Sequence, residues 1–369
     1  MLIPFVITLS VILAYTVFIG VLLSGFTRLN KPVRARPAAY EKVSVVVPFR
    51  NEAANLPLII EDLQRQSWPG DLLTVILVND HSTDDSFEIA NRMIMKIPGY
   101  ICLDLPRDVS GKKAALYHAV SNATTRWIIQ IDADCRVGPD FIRAHMTFLE
   151  ECPSDLVAGM VTTRSGKGSF LEGFERLDLL GLTGAGAGSF YYGHPLMCSG
   201  ANLLYTRELY METRQFDPVD KSASGDDMFL LIGARKLGRK ISFNRDRLAL
   251  VLTGQVADLK TLIRQRIRWG AKSVYYRMGD IQVLALLVVL ADLLVLVLPV
   301  WMILFQGSYK WFLPVFGIKT AIDFLLILAT AGTTGQRSTL GWFLPAALFY
   351  YPFMLVVIAG SLLGRSSWK

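Results

Sequence analysis

Two carboxylates separated by one small residue, Asp132-Ala133-Asp134, close an apolar run that begins Ile128-Ile129-Gln130-Ile131. At the carboxyl end of a parallel strand they would face the ligand crevice of an α/β sheet. There they offer two hard oxygen ligands to a divalent ion of the kind that keeps several waters and completes its shell from substrate phosphates. Alone, the same residues read more readily as a strand followed by a polar turn.

Five further clusters share the chain. Val47-Pro48-Phe49-Arg50-Asn51-Glu52 ends one apolar strand and Val78-Asn79-Asp80-His81-Ser82-Thr83-Asp84-Asp85 the next. Each sets polar side chains and free N–H groups over the expected crevice. Asp80 could accept hydrogen bonds from a base or ribose, and the helix start beyond it favours anions; Ser82 to Asp85 also suit a helix N-cap. Gly111-Lys112-Lys113-Ala114-Ala115-Leu116 opens a helix where a Lys can meet a phosphate, or be merely solvated. It lacks the Ser or Thr of a full phosphate loop, so ATPase chemistry is not expected. Gly225-Asp226-Asp227 supplies a second carboxylate pair, suited to general-base work or to a helix cap. Gln265-Arg266-Ile267-Arg268-Trp269 lies in a basic amphipathic stretch, Asp258 to Tyr276, of the kind that rests on a membrane surface with Arg snorkelling and Trp among headgroups.

The elements that must position these groups alternate between strand and helix from 42 to 256. Val43 to Pro48, Leu72 to Val78, Tyr100 to Leu105 and Trp127 to Ile131 read as strands. Asn55 to Gln66, the stretch through about Met95, and Ala114 to Asn122 read as helices. Such alternation predicts a largely parallel sheet covered by helices. Gly184-Ala185-Gly186-Ala187-Gly188 interrupts the pattern, either as a mobile acceptor-site loop or through close helix packing.

Of 369 residues, 52% are hydrophobic and 19% charged, with mean hydropathy +0.38. This combination implies a polar domain joined to membrane spans. The net charge of +7 does not point to nucleic acid, because much of the excess flanks apolar runs, where anionic headgroups attract it. Leu2 to Gly25 is long enough to span a bilayer. No basic residue precedes it, whereas Arg28, Lys31, Arg34 and Arg36 follow, which predicts an anchor and a cytoplasmic domain beyond it. Three more apolar segments, about 281–306, 311–331 and 340–363, suit further spans. If all cross, Arg365 and Lys369 fall outside, mildly against the positive-inside rule. Lys319 and Asp323 sit four apart inside the middle segment, as a functional pair or, preferably, as a bundle-facing bridge or the mark of a segment lying partly in the interface. Cys102, Cys135, Cys152 and Cys198 match neither metal nor disulfide spacing, so free thiols in a reducing compartment are expected. The organisation is therefore an anchor (1–27), a linker (28–41), an α/β domain (42–256), an interfacial segment (257–280) and a C-terminal membrane region (281–369).

In this order, Pro-Phe-Arg-Asn-Glu, Asn-Asp-His-Ser-Thr-Asp, Asp-Ala-Asp, Gly-Asp-Asp and Gln-x-x-Arg-Trp resemble the membrane-embedded family 2 glycosyltransferases, which include cellulose, chitin and hyaluronan synthases and ceramide glucosyltransferase. The resemblance covers about residues 42 to 276 and the flanking spans. It implies a GT-A fold, a nucleotide-sugar donor, usually UDP-linked, Mg2+ or Mn2+, and inversion at the anomeric carbon. By the same resemblance Pro48, Asn51, Glu52 and Asp80 line the nucleoside pocket, with Lys112 near it or the diphosphate. Asp132 and Asp134 form the metal and diphosphate site. Asp227 is the base, with Asp226 in the adjoining Glu position. Gln265, Arg268 and Trp269 close the donor site and contact diphosphate and acceptor. Asn79 departs from the usual first Asp, which bears on base or ribose recognition. Gly225 stands for the usual Thr, as in hyaluronan synthases.

The expected protein is an integral multi-pass enzyme of a plasma or inner membrane, transferring a sugar to a lipid or lipid-linked acceptor. Four spans are fewer than a polymer channel requires, which sets processive polysaccharide synthesis second. A non-catalytic nucleotide-sugar-binding subunit is opposed by the full carboxylate set, and a nucleotidyltransferase leaves Gln265 to Trp269 unexplained.

Overall fold

The computed structural model describes residues 2–29, 37, 39–164, 166, 168–216, 225–272, 278–304 and 312–363. Most of the expected linker 28–41, together with Lys31, Arg34, Arg36, Tyr276, Arg365 and Lys369, lies outside the described residues. The chain divides into a sheet unit, Leu29–Arg164 with Gly193–Gly254, and a helical unit, Met1–Arg28 with Ser165–Tyr192 and Gln255–Ser367. The stretch expected as one α/β domain thus contributes Ser165–Tyr192 to the helical unit.

After helix α1 (Leu2–Arg28), the chain enters the sheet unit through β1 (Val43–Phe49), α2 (Leu56–Gln64), β2 (Leu73–Asn79), α3 (Ser86–Ile94), β3 (Tyr100–Asp104), α4 (Lys112–Asn122) and β4 (Trp127–Gln130). It continues with β5 (Arg136–Val137), α5 (Phe141–Glu151), β6 (Leu156–Gly159) and β7 (Val161–Thr163). Helix α6 (Phe170–Tyr191) belongs to the helical unit; then β8 (Leu203–Thr206), α7 (Arg207–Thr213), α8 (Asp226–Lys236), β9 (Ile241–Asn244) and β10 (Val251–Thr253) complete the sheet unit. Strand β1 reads VSVVVPF and is buried at every position, the continuous apolar signature of a strand covered on both faces. Its one hydroxyl, Ser44, accepts from Thr125 Oγ1 at 2.8 Å. Pro48 lies beyond the last β1–β4 partner pair, Val46 with Gln130, so its missing N–H leaves no gap in that ladder.

The seven-stranded sheet has the order β3-β2-β1-β4-β8-β6-β9. All pairings are parallel except those of β8, which runs antiparallel to β4 and β6. The order reverses between β1 and β4, the place where open α/β sheets bind ligands beyond their strand ends. Because β8 is reversed and its Leu203 pairs with Gln130, the residues before Leu203 arrive at the same end. A second sheet, β5-β10-β7, follows the Asp-x-Asp loop. Its start is pinned by Arg136, whose Nη2 donates to Asp62 Oδ1 at 2.7 Å on α2, while Val137 N donates to Asp62 Oδ2 at 3.1 Å.

In the helical unit α1 and α6 are joined by α9 (Leu259–Lys272), α10 (Gly279–Leu304), α11 (Phe312–Thr334) and α12 (Phe343–Leu363). Four helical stretches, Val6–Arg28, Gly279–Val300, Phe312–Thr334 and Arg337–Leu363, are long and apolar enough to cross a membrane. The Gly184–Gly188 segment is not a loop but part of the 22-residue α6. A Cβ at Gly188 would overlap Leu22 O of α1, and one at Gly25 would overlap Gly188 O. The glycines are there to let two helix backbones touch, as small residues do between membrane helices. Lys319, only 1% exposed, places Nζ 2.9 Å from both Asp292 Oδ1 on α10 and Asp323 Oδ2, and Tyr15 OH of α1 donates to Asp323 Oδ1 at 2.6 Å. The bundle-facing bridge is therefore the arrangement found, extended to three helices.

Candidate active site

Three strand ends of the sheet unit supply the cleft. Asp132 and Asp134 follow β4, Asn51 and Glu52 follow β1, and Asp80 follows β2. Helix α4 adds Lys112 at its first position, after Gly111 at φ 100°. Helix α8 adds Asp226 and Asp227 in its first turn, after Gly225 at φ 101°. Positive φ of this size suits Gly at both helix starts.

Lys112 is the junction. Its Nζ lies 2.6 Å from Asp132 Oδ1 and 3.8 Å from Asp226 Oδ2, so carboxylates remote in sequence share one cation. Burial alone would lower its pKa, yet Asp132 and Asp226 push it above the ordinary Lys value. Asp226 Oδ2 also accepts from Gln130 Nε2 at 2.7 Å. Asp227 Oδ2 accepts from Gly200 N at 3.1 Å and Oδ1 from Met228 N at 2.8 Å. Cys198 lies behind, its Sγ 3.6 Å from Asp227 O; burial, then Asp227 and Asp226, raises the thiol well above its usual pKa.

Asp134 is held from the other side by Thr253 Oγ1, 3.4 Å from Oδ2, and by the Cys135 thiol, 3.5 Å from Oδ1. Arg164 Nη2 donates to Asp134 O at 3.1 Å. Burial, then the neighbouring Asp132, raises the Asp134 carboxyl above its ordinary pKa. A carboxylate whose charge is disfavoured by burial and by a neighbouring carboxylate suits a divalent cation, which relieves both. No group of three His, Cys, Asp or Glu side chains suited to a metal occurs among the described residues. Two carboxylates fit an ion whose remaining ligands are water and substrate phosphate.

The β1 and β2 ends build the adjoining pocket. Asn51 and His81 adopt φ of 56° and 54°, rare for residues with side chains and common where loops carry ligands. Asn51 N donates to Ser82 Oγ at 3.0 Å, and Asn51 Oδ1 accepts from Thr83 N at 2.8 Å. Glu52 N donates to Ser86 Oγ at 2.8 Å, and a Glu52 carboxylate oxygen accepts from Asn55 Nδ2 at 2.8 Å. Asp80, 1% exposed, accepts from Gly111 N at 3.0 Å through Oδ1. Its buried Oδ2 makes no hydrogen bond among the described residues and lies 3.7 Å from Arg50 Nη1. Asn79 instead donates to Asp104 Oδ1 at 2.8 Å and accepts from Ser82 N at 3.1 Å. Its departure from Asp thus fastens the loop to β3. The N-cap of α3 is Asp85, whose side chain makes no cap hydrogen bond; Asp84, one residue earlier, accepts from Ser86 N at 3.1 Å through Oδ1 instead.

The sheet unit thus brings together Asp132, Lys112 and Asp226 through direct contacts, with Asp227 next along α8 and Asp80 tied to the start of α4 by Gly111. Gln265, Arg268 and Trp269 lie on α9 in the helical unit. There Arg266 Nε donates to Asp178 Oδ2 at 2.6 Å, its guanidinium sits 4.2 Å above the Trp269 ring, and Trp269 is 37% exposed. Sequence reading missed Gln130, Tyr205, Gly200, Thr253 and Arg164. Gln130 carried the one available signal, a polar residue inside an apolar strand.

Residues 44–214 match the model of the family described as Glycosyl transferase family 2. The poly(ribitol-phosphate) beta-glucosyltransferase of Bacillus spizizenii is 24% identical over 209 residues, 56% of this chain and 31% of that protein. The undecaprenyl-phosphate 4-deoxy-4-formamido-L-arabinose transferase of Yersinia enterocolitica is 32% identical over 115 residues, 30% of this chain and 34% of that protein. This chain spans about a third of the length of the curated relatives it matches first. Among solved structures, the mannosyltransferase PcManGT from Pyrobaculum calidifontis, in complex with GDP-Man and Mn2+, superposes with a TM-score of 0.61 at 17% identity, covering 99% of this chain and 98% of that one. The shared fold is α/β and GT-A-like.

Proposed function

From the premise that this chain carries a glycosyl transferase family 2 domain over residues 44–214, we propose that it is an inverting glycosyltransferase moving one sugar from a nucleotide-sugar donor to a lipid or lipid-linked acceptor at a membrane. The observation that carries the reading is the Lys112 bridge, which draws the Asp132 loop and the start of α8 into one cleft.

Asp80, with one buried oxygen that makes no hydrogen bond among the described residues, receives the nucleoside, beside Pro48, Asn51 and Glu52. Asp132 and Asp134 would hold Mg2+ or Mn2+, which when bound supplies positive charge to the donor diphosphate. Lys112 adds a second positive charge from the chain itself. Asp227 takes the proton of the acceptor hydroxyl as its oxygen attacks the anomeric carbon from the face opposite the nucleotide, and the bond to the diphosphate breaks. The transition state is oxocarbenium-like, so fixed charges around the leaving group lower the barrier most. Gln265, Arg268 and Trp269 are assigned to diphosphate and acceptor by their motif.

Four membrane-length helices among the described residues support a lipid acceptor over a channel for a growing polymer, and basic residues after α1 support a cytoplasmic sheet unit. The relatives named for poly(ribitol-phosphate) and undecaprenyl-phosphate are consistent with phosphate-bearing polymer or lipid acceptors. The test is a panel of UDP- and GDP-sugars offered to the full-length protein with a membrane lipid extract, followed by mass analysis. One added sugar with release of nucleoside diphosphate is expected. A ladder of products would replace the single-transfer reading with a processive one, and release of a sugar 1-phosphate, with the nucleoside monophosphate carried to the acceptor, would replace it with nucleotidyl transfer. Donor binding without product, whatever lipid is offered, would reduce the protein to a binding subunit.

A further inference from the structure

We propose that Gln130 is a positioning residue for Asp226, locked in one amide orientation by Tyr205; the inference rests on the glycosyltransferase reading above and deepens it. Gln130 is the last residue of β4 and is 1% exposed; Tyr205, on the adjacent antiparallel β8, is fully buried. Tyr205 OH donates to Gln130 Oε1 at 3.1 Å. Gln130 Nε2 then donates both its hydrogens, to Asp226 Oδ2 at 2.7 Å and to Gly200 O at 2.9 Å.

An amide has a donor end and an acceptor end, so its orientation follows from its partners. Here the donor end meets a carboxylate and a carbonyl, and the acceptor end meets a hydroxyl. Flipping the side chain would set Oε1 against two acceptors in a buried site, which buried polar groups do not tolerate. Gly200 makes the approach possible, since a Cβ there would stand 3.1 Å from both Asp226 Oδ2 and Gln130 Nε2.

The consequence for Asp226 is an asymmetry between its oxygens. Oδ2 is held by Gln130, with the Lys112 ammonium 3.8 Å away. Oδ1 is the oxygen left to face a sugar or acceptor hydroxyl. Fixing Asp226 also fixes the first turn of α8, where Asp227 follows directly. Gln130 thus sets the geometry of the carboxylate pair without touching substrate.

The experiment uses the full-length protein and the nucleotide sugar that wild type turns over. Gln130→Met, Gln130→Glu, Tyr205→Phe and Gln130→Met/Tyr205→Phe are compared by kcat, donor KM and melting temperature. Gln130→Met should lower kcat about 10²-fold, the scale of a reacting group displaced by roughly 1 Å, with donor KM unchanged. Gln130→Glu keeps the shape and the bond from Tyr205 but turns an acceptor on Asp226, so it should fall at least as far. Tyr205→Phe should fall less, and add nothing in the Gln130→Met background. Wild-type kcat in Gln130→Glu, a loss confined to KM, or additive effects in the double variant would overturn the proposal. If Gln130→Met does not fold, Gln130→Glu and Tyr205→Phe decide it by the same kcat and KM criteria. A wild-type protein that transfers nothing from any donor would instead remove the glycosyltransferase reading, and this inference with it.

Discussion

Lys112 Nζ stands 2.6 Å from Asp132 Oδ1, so the first Asp of the Asp-x-Asp pair already has a cation supplied by the chain. A divalent ion binding there meets a resident positive charge. At about 4 Å, two unit charges still interact by about 4 kcal/mol at an effective dielectric of 20. Lys112→Met should therefore bind Mn2+ more tightly in the absence of donor, by at least about tenfold, while transfer slows. Mn2+ titration followed by electron paramagnetic resonance checks the first half; equal or weaker affinity in the variant would show that Lys112 does not oppose the ion.

Asp227 accepts from Gly200 N and Met228 N, so its orientation does not depend on a ligand. Asp227→Asn keeps the shape and removes the base proposed above. Donor affinity should stay at the wild-type value, while turnover falls at least about 10²-fold. Equilibrium binding alongside single-turnover rates separates the two effects, and a variant with parental turnover would defeat the assignment.

His145 is fully buried, with Nε2 2.9 Å from Asn202 Oδ1. Burial lowers its pKa from 6.5 to about 4, and the bond to Asn202 only partly opposes that shift. Between these values the unfolded chain binds a proton that the folded chain does not, so stability rises with pH across this window. Acidification from pH 6.5 to about 4 should cost up to about 3 kcal/mol through this residue. Urea unfolding at several pH values checks it, with His145→Gln expected to flatten the acid limb.

Lys319 is shared between Asp292 and Asp323 inside the helical unit, 2.9 Å from an oxygen of each. Lys319→Met leaves the buried Asp292 without its cation and Asp323 with only the Tyr15 hydroxyl, and should destabilise the protein by about 3–5 kcal/mol. Adding Asp292→Asn and Asp323→Asn to the same chain should recover most of the loss. Thermal unfolding in detergent distinguishes this from a surface pair, whose removal would barely register.

What the sequence disclosed, and what it hid, follows from how far each interaction reaches. Strands β1 and β4 were readable because Val45-Val46-Val47 and Ile128-Ile129 are runs whose burial is written locally. The helix-start position of Lys112 allows a phosphate contact or plain solvation, and only the family resemblance sets it near the nucleoside pocket or the diphosphate; its bridge to Asp132 and Asp226 depends on sheet order, which no local pattern contains. Gln130 and Tyr205 belong to strands joined only by the reversal of β8, a pairing that alternation of strand and helix argues against. Gly184 to Gly188 misleads in a different way. Glycine loosens an isolated helix, yet beside α1 the missing side chains are what permit contact.

The bridge made by Lys319 also bears on how α11 would enter a bilayer, on the membrane placement proposed above. Each charge at the centre of an isolated span costs about 2.5–3.5 kcal/mol on insertion scales, and α11 carries two. Asp292 and Tyr15 precede it in the chain, so on that placement α11 would enter lipid beside partners made earlier. Replacing Asp292 should therefore show first as a biogenesis defect, with α11 stalled at the translocon or degraded before any sugar is transferred.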